Sequence, residues 1–152
     1  MTDPFESVVG LLQEVTQAHH RLLDLAREEQ RALVRGDVQL LQRVVAEQEQ
    51  VVGQVRELER ARMRLLELVA ERVGRPVEGL SLRELVNSSP PDVGRRLEEQ
   101  RRELVSVLTE LADVNKANAL LVRAHLQYVH DLVAMVTRAA DGPASLMVDR
   151  WT

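Results

Sequence analysis

The feature that most constrains the fold is a stretch of roughly 50 residues between Pro91 and Pro143 that contains no proline. A helix of this length spans about 75 Å at a rise of 1.5 Å per residue. Apolar residues recur along it every three or four positions, which is the spacing of one buried face of a helix. The pattern therefore predicts one very long helix with an apolar seam at Val93, Leu97, Leu104, Val107, Leu111, Val114, Leu121, Tyr128, Leu132, Met135 and Ala139.

Two shorter segments with the same periodicity precede it. Asp3 and Pro4 are typical of a helix start, because Asp caps free backbone N–H groups and Pro fits the first helical position. Gly36 and Asp37 predict that the first helix ends and the second begins at once. A joint this short folds two helices back on each other, and Gly74 then ends the second helix.

A connector follows in which short-range signals dominate. Ser81 and Glu84 form a capping box, which predicts one or two helical turns through about Val86. Ser89 is the predicted N-cap of the last long helix, with Pro90 at its first position. The predicted fold is therefore all-α, an elongated antiparallel bundle of three long helices plus a short connector helix.

This bundle is predicted to form a single domain over residues 1–140, followed by a flexible C-terminal tail at residues 141–152. The tail contains Leu146, Met147, Val148 and the chain's one tryptophan, Trp151. These side chains could fold back over an apolar patch or dock on a partner, although tails of this kind are more often disordered.

Composition excludes several classes of function. The chain has 20 basic and 24 acidic residues and a net charge of −4, which argues against nucleic acid or an anionic membrane as a partner. It has no cysteine, so disulfides, thiolate metal sites and cysteine nucleophiles are excluded. Neither a secretory signal nor an apolar run long enough to span a membrane is visible, and we expect a cytoplasmic protein.

The residues that could carry chemistry are not arranged for it. His19 and His20 are adjacent and point about 100° apart on a helix, while His125 and His130 are five apart, off the spacing that joins two ligands. We therefore predict no metal and no cofactor, with His19 and His125 as structural histidines on apolar seams. The acidic residues lie among arginines, as on a solvated helix face, and no catalytic site is predicted.

The C-terminal half of the last helix is the candidate binding surface. The first two helices, about 32 and 36 residues long, are too short to cover it, so some 10–15 residues are expected to project. That stretch is apolar on more than one side and must be covered by its own bundle, a second copy or a partner. The predicted partner-binding residues are Asn115, Asn118, Leu121, Val122, His125, Tyr128, Val129, Leu132, Val133, Met135 and Val136.

Asn115 and Asn118 lie three residues apart, on neighbouring spots of one helix face. They are either a polar mark that fixes the register of a bound helix or an internal pair that bonds across the bundle. Tyr128 combines a large apolar ring with a hydroxyl, which suits docking, and a core role is the alternative.

The order of several motifs resembles the FlgN family of flagellar export chaperones over about residues 5–136. These motifs are Glu28-Glu29-x-x-Ala32-Leu33-x-x-Gly36-Asp37-x-x-x-Leu41, then Arg62-x-x-Leu65-Leu66, then Leu111-x-x-x-Asn115-x-x-Asn118-x-x-Leu121-Val122. The resemblance implies a cytoplasmic chaperone that binds the terminal helices of the hook–filament junction proteins FlgK and FlgL and brings them to the flagellar export gate. It also implies that Tyr128 docks on the gate.

Two other functions stay open on the sequence. A generic helical scaffold or a chaperone of another secretion system would share the same bundle. An all-helical enzyme resembling chorismate mutase would need several cations converging inside the core, and Arg62 is the one basic residue on a clear seam.

Overall fold

The computed structural model describes residues 3–141, so the predicted C-terminal tail lies, except for Asp141, outside the described residues. They form four α-helices: α1 (Pro4–Arg35), α2 (Val38–Val73), α3 (Leu82–Ser88) and α4 (Pro91–Ala140), with a short 3-10 helix at Val77–Gly79 before α3. The all-α prediction is confirmed, and the three long helices have 32, 36 and 50 residues.

Most helix ends lie where local chemistry predicts them. The Asp3 carboxylate accepts a hydrogen bond from the Phe5 N–H, and Asp37 caps α2 in the same way through the Leu40 N–H. Gly36 and Gly74 end α1 and α2 at φ values of 65° and 72°, a left-handed conformation that strains other residues.

The predicted start of α4 is wrong by one residue. Ser89 does not cap the helix, because its hydroxyl donates a hydrogen bond to the Val86 carbonyl at 3.0 Å. Pro90 is the residue before the helix, with ψ at 149°, and Pro91 is the first helical residue. A residue that precedes proline is held away from helical geometry, so the Pro90-Pro91 pair delays the start of the helix.

The first helix lies in the middle of the bundle. It packs along both α2 and α4, whereas α2 and α4 approach each other at few points. An Arg72–Asp3 ion pair joins the end of α2 to the start of α1, so these helices are antiparallel. The Arg27–Glu110 pair helps to hold α4 parallel to α1.

The core is thick at one end of the bundle and thin at the other. The larger buried cluster joins the start of α1, the end of α2, the connector and the start of α4, and its centre includes Val69 and Leu97, both 0% exposed. The second cluster contains Leu25, Val44 and Val51 from α1 and α2. The far half of α4 belongs to neither cluster.

A projecting helix as candidate partner-binding face

The last part of α4 extends beyond the rest of the described chain. Asn118 is the last buried residue of α4. Leu121 is half-buried, and from residue 122 to residue 140 every side chain is exposed except the half-buried Ala134. We call residues 122–140 the projecting segment; it is about 28 Å long at 1.5 Å per residue.

This projection follows from helix length and register. The ion pair between Glu6 and Arg96 places the starts of α1 and α4 at the same end of the bundle. Because α1 ends at Arg35, 29 residues after Glu6, its last residue lies near the level of His125, and about 15 residues of α4 extend past it. The predicted projection is therefore present, and its length agrees with the 10–15 residues expected from the sequence.

The projecting segment has one wide apolar side. At about 100° per residue, its apolar side chains cover an arc of roughly 200°. The opposite side carries the polar residues Arg123, Gln127, His130, Asp131, Thr137 and Arg138. We call the apolar side the open face; it consists of Val122, Leu126, Tyr128, Val129, Leu132, Val133, Met135 and Val136, all exposed.

The open face continues the stripe that α1 covers lower down the helix. Val107, Asn118 and Val129 are spaced by eleven residues, which is close to three helical turns, so they lie on the same side of α4. Val107 and Asn118 are 2% and 3% exposed against the bundle, whereas Val129 is 54% exposed. The side chains have the same orientation, and what changes along α4 is the loss of the helix that covers them.

The structure separates the two asparagines of the candidate site. Asn118 is buried, and its side-chain amide donates a hydrogen bond to the Ala26 carbonyl of α1 at 2.8 Å. Its Oδ1 atom is also buried and accepts no hydrogen bond from residues 3–141. Asn115 is exposed. The interpretation as a hydrogen bond across the bundle thus applies to Asn118. Asn115 is the asparagine that is accessible to a partner.

The remaining candidate residues divide in a similar way. Tyr128 is 65% exposed, so its ring is not part of the described core. His125 is also exposed, so its predicted place on a covered seam is wrong; it lies at the level where α1 ends. His19 is half-buried as expected, with its Nδ1 donating to the Val15 carbonyl at 2.7 Å.

Sequence reasoning missed a second apolar stripe on α2. Val38, Val45 and Val52 are exposed at a spacing of seven residues, while Val44 and Val51 beside them are buried against α1. Adjacent apolar residues at 44–45 and 51–52 were the available signal, because neighbours on a helix point about 100° apart and only one of each pair can face α1.

Many of the charged side chains in residues 3–141 are joined in ion pairs. Glu98 on α4 accepts two hydrogen bonds from Arg101 at 2.9 Å, and together with charge attraction from Arg101 and Arg102 they lower the pKa of Glu98 to about 2. This cluster is in the covered half of α4, away from the open face. Residues 3–141 contain no group of three or more histidine, aspartate or glutamate side chains placed to hold a metal ion.

A cavity of about 210 Å³ lies between the helices near the connector. Its polar lining consists of Arg62 and Glu59, which bond to each other at 2.9 Å, so Arg62 is already paired with a carboxylate. An aliphatic cavity of this kind does not favour an enzyme that needs converging cations. The apolar lining residues are Val8, Leu11, Leu12, Val15, Leu65, Leu66, Leu80, Leu82, Leu85 and Leu104.

Comparison with protein-family models decides the family. The model described as FlgN protein matches residues 1–146. This chain belongs to the FlgN family. The FlgN family is one of flagellar export chaperones that partner hook-associated proteins, and the similarity indicated by the sequence motifs is confirmed. Searches of curated proteins and of solved structures found no significant match. Within the described part of this FlgN-family chain, no helix is long and apolar enough to cross a membrane.

Proposed function

We propose that this FlgN-family protein is a cytoplasmic chaperone that binds the terminal helices of FlgK and FlgL and delivers them to the flagellar export gate. The observation that carries the proposal is the open face, an apolar helix surface that continues a core stripe and on which none of residues 3–141 packs. An amphipathic helix recognises a groove or face of this kind through residues spaced three and four apart.

The binding contacts are proposed to centre on Val129, Leu132 and Val136. These side chains are 54%, 40% and 67% exposed, so a docked helix has a large part of each left to bury. Leu121 forms the edge of the site near the end of α1, and His125 lies between its apolar neighbours. Val122, Val133 and Met135 widen the face, so that a partner helix can contact more than one row of side chains.

The polar residues have separate proposed roles. Asn115 lies exposed just below the open face and is a candidate for fixing the register of the bound helix. Asn118 was predicted from the sequence as a partner-binding residue together with Asn115. Its hydrogen bond to the Ala26 carbonyl supports an indirect role, in which Asn118 holds α4 on α1 beneath the site. Tyr128 is the proposed contact with the export gate, since it presents an exposed ring and hydroxyl.

The first test replaces Val129, Leu132 and Val136 together by serine. Burying a valine or leucine fully contributes about 1.5–3 kcal/mol, and scaling by the exposed fractions gives a combined loss of about 3 kcal/mol. The dissociation constant for a peptide from the C-terminal helix of FlgK or FlgL should therefore rise on the order of 100-fold, measured by titration calorimetry.

A matched control carries serine at Gln127 and Asp131, on the polar side of the same helix. Both variants should keep the circular dichroism and melting temperature of the wild-type chain, because none of the five side chains is buried. If the triple variant binds the peptides as tightly as the control does, the open face is not the cargo site.

Tyr128→Ala separates cargo binding from delivery. The cargo dissociation constant should change less than in the triple variant, while binding to the isolated export-gate component should be lost. A homodimer through the open face is the competing use of the same surface. It would show as a concentration-dependent mass in light scattering that the triple serine variant abolishes.

A further inference from the structure

The cavity of about 210 Å³ near the connector has an apolar lining to which all four α-helices contribute. Val15 comes from α1, Leu66 from α2, Leu85 from α3 and Leu104 from α4, and ten of the twelve lining residues are valine or leucine. A cavity of about 150 Å³ with an apolar lining stays dry and takes up benzene or xenon. The volume of this cavity therefore suits a molecule of about six to nine carbon atoms.

Water is a poor occupant of such a cavity, because a buried water needs about two to four hydrogen-bonding partners. Among residues 3–141, the polar side chains of the lining are Glu59 and Arg62. Arg62 donates hydrogen bonds to Glu59 at 2.9, 3.1 and 3.3 Å, so these two groups already have each other as partners. The buried polar atoms that lack a partner within the described chain, Arg96 Nε and Asn118 Oδ1, belong to residues outside the lining.

The charge at the lining determines which ligands the cavity accepts. Glu59 and Arg62 carry opposite charges in direct contact, so their charges cancel. An ionised ligand would lose its hydration on entering and would find no uncompensated charge to pair with. The lining therefore favours an uncharged molecule over a carboxylate or an amine of the same size.

The cavity is closed on one side by side chains that can move. Leu12, Leu66 and Leu85 are buried, whereas Leu82 and Leu104 in the same lining are half-buried. Side chains that reach the surface change rotamer within nanoseconds, while the buried ones are held by their neighbours. A small molecule can therefore enter past Leu82 and Leu104 without unfolding of the bundle.

We infer that this cavity is a binding site for an uncharged apolar molecule of about six to nine carbon atoms, such as a small aromatic hydrocarbon. The bound molecule contacts α1, α2, α3 and α4 together, so it holds the short helix α3 against the three long helices. The site lies at the opposite end of the bundle from the open face, and the inference does not depend on the proposed function.

The experiment adds benzene to the full chain. A ligand of this size that loses most of its surface to the cavity should bind with a dissociation constant on the order of 0.1–1 mM. At about ten times that concentration, the melting temperature should rise by about 3–5 °C. The methyl resonances of Leu66 and Leu85 should shift, those of Leu126 and Leu132 on the open face should not, and amide exchange in α3 should slow.

Leu82→Phe is the variant that fills the cavity, and it should weaken benzene binding by at least about tenfold. Leu68→Phe is the matched control, because Leu68 is 51% exposed on α2 and is not part of the lining, so benzene should bind this variant as it binds the wild type. Leu104→Ala tests the site independently if Leu82→Phe does not fold. Its enlarged cavity should bind naphthalene more tightly than the wild-type cavity does.

Benzoate tests the charge argument. It should bind the wild-type chain at least about tenfold more weakly than benzene, because Arg62 is already paired. Glu59→Gln removes that partner and should strengthen benzoate binding by about tenfold. Benzoate that binds the wild type more tightly than benzene would overturn the assignment of an uncharged ligand. Unchanged methyl resonances of Leu66 and Leu85 in benzene, or equal benzene binding by Leu82→Phe and Leu68→Phe, would overturn the site itself.

Discussion

Replacing Asn118 by leucine should make the protein more stable, although it removes a hydrogen bond. Asn118 is 3% exposed, donates one hydrogen bond to the Ala26 carbonyl, and leaves its Oδ1 atom buried without a donor among the described residues. Ala26 lies inside α1, so its carbonyl oxygen keeps its helical hydrogen bond when the side-chain donor is removed.

The magnitude follows from three opposing contributions. Losing the bond to Ala26 costs about 1 kcal/mol, while removing the unsatisfied Oδ1 atom relieves about 1–3 kcal/mol. Leucine has a similar branched shape and adds apolar burial that contributes up to about 1.5–3 kcal/mol, part of which is lost to imperfect fit. The net expectation is a free energy of unfolding raised by about 2 kcal/mol.

The assay is urea and thermal unfolding followed by circular dichroism. For a chain of this size, about 2 kcal/mol corresponds to a melting temperature raised by about 4–8 °C. Asn115→Leu is the matched control, because Asn115 is exposed three residues away and its change should stay within about 0.5 kcal/mol of zero. A destabilisation of Asn118→Leu by about 1 kcal/mol or more would refute the reasoning, since it would mean that the Asn118 amide is fully satisfied in the folded protein.

Three further predictions concern the backbone, the ion pairs and local stability. Gly53→Ala should raise the free energy of unfolding by about 1 kcal/mol, because the added Cβ meets nothing within 4 Å. Gly94→Ala should lower the free energy of unfolding, because its Cβ would lie 3.0 Å from the Val86 carbonyl oxygen. Urea unfolding measures both changes. The lowered pKa of Glu98, about 2 against 4.5, stabilises the fold fully above pH 4.5 and progressively less as the pH falls towards 2. Glu98→Gln should therefore be less stable than wild type at pH 7, and the difference should vanish near pH 2. Amide hydrogen exchange should be slow in the covered part of α4 and fast throughout residues 122–140. Adding cargo peptide should slow exchange in residues 122–140. Uniform protection along α4 without cargo would contradict the exposed projection.

Helix ends could be predicted because one or two residues determine each of them. Asp3, Gly36, Asp37 and Gly74 act through their own backbone conformation or through a hydrogen bond to a neighbour, and all four lie where the sequence predicts. Ser89 is the exception, and the cause is equally local, since Pro90 is itself followed by a proline.

The covering of each helix face could not be predicted in the same way. Asn115 and Asn118 are neighbours on one side of α4, yet one is exposed and the other buried, because the position of α1 across that side separates them. His125 fits the apolar spacing as well as Val107 does, and its exposure depends on where α1 ends. Periodicity determines which residues point in one direction, while burial needs the relative placement of a second helix.

That placement links a single glycine to the proposed binding site. Gly36, at a φ of 65°, ends α1 and lets Asp37 cap the returning helix at once. Since α1 and α4 start at the same end, ending α1 after 32 residues leaves the last third of α4 uncovered. The open face is then the part of an ordinary core stripe that no other helix of residues 3–141 covers. A partner helix that docks there would take the place that a longer α1 would otherwise occupy.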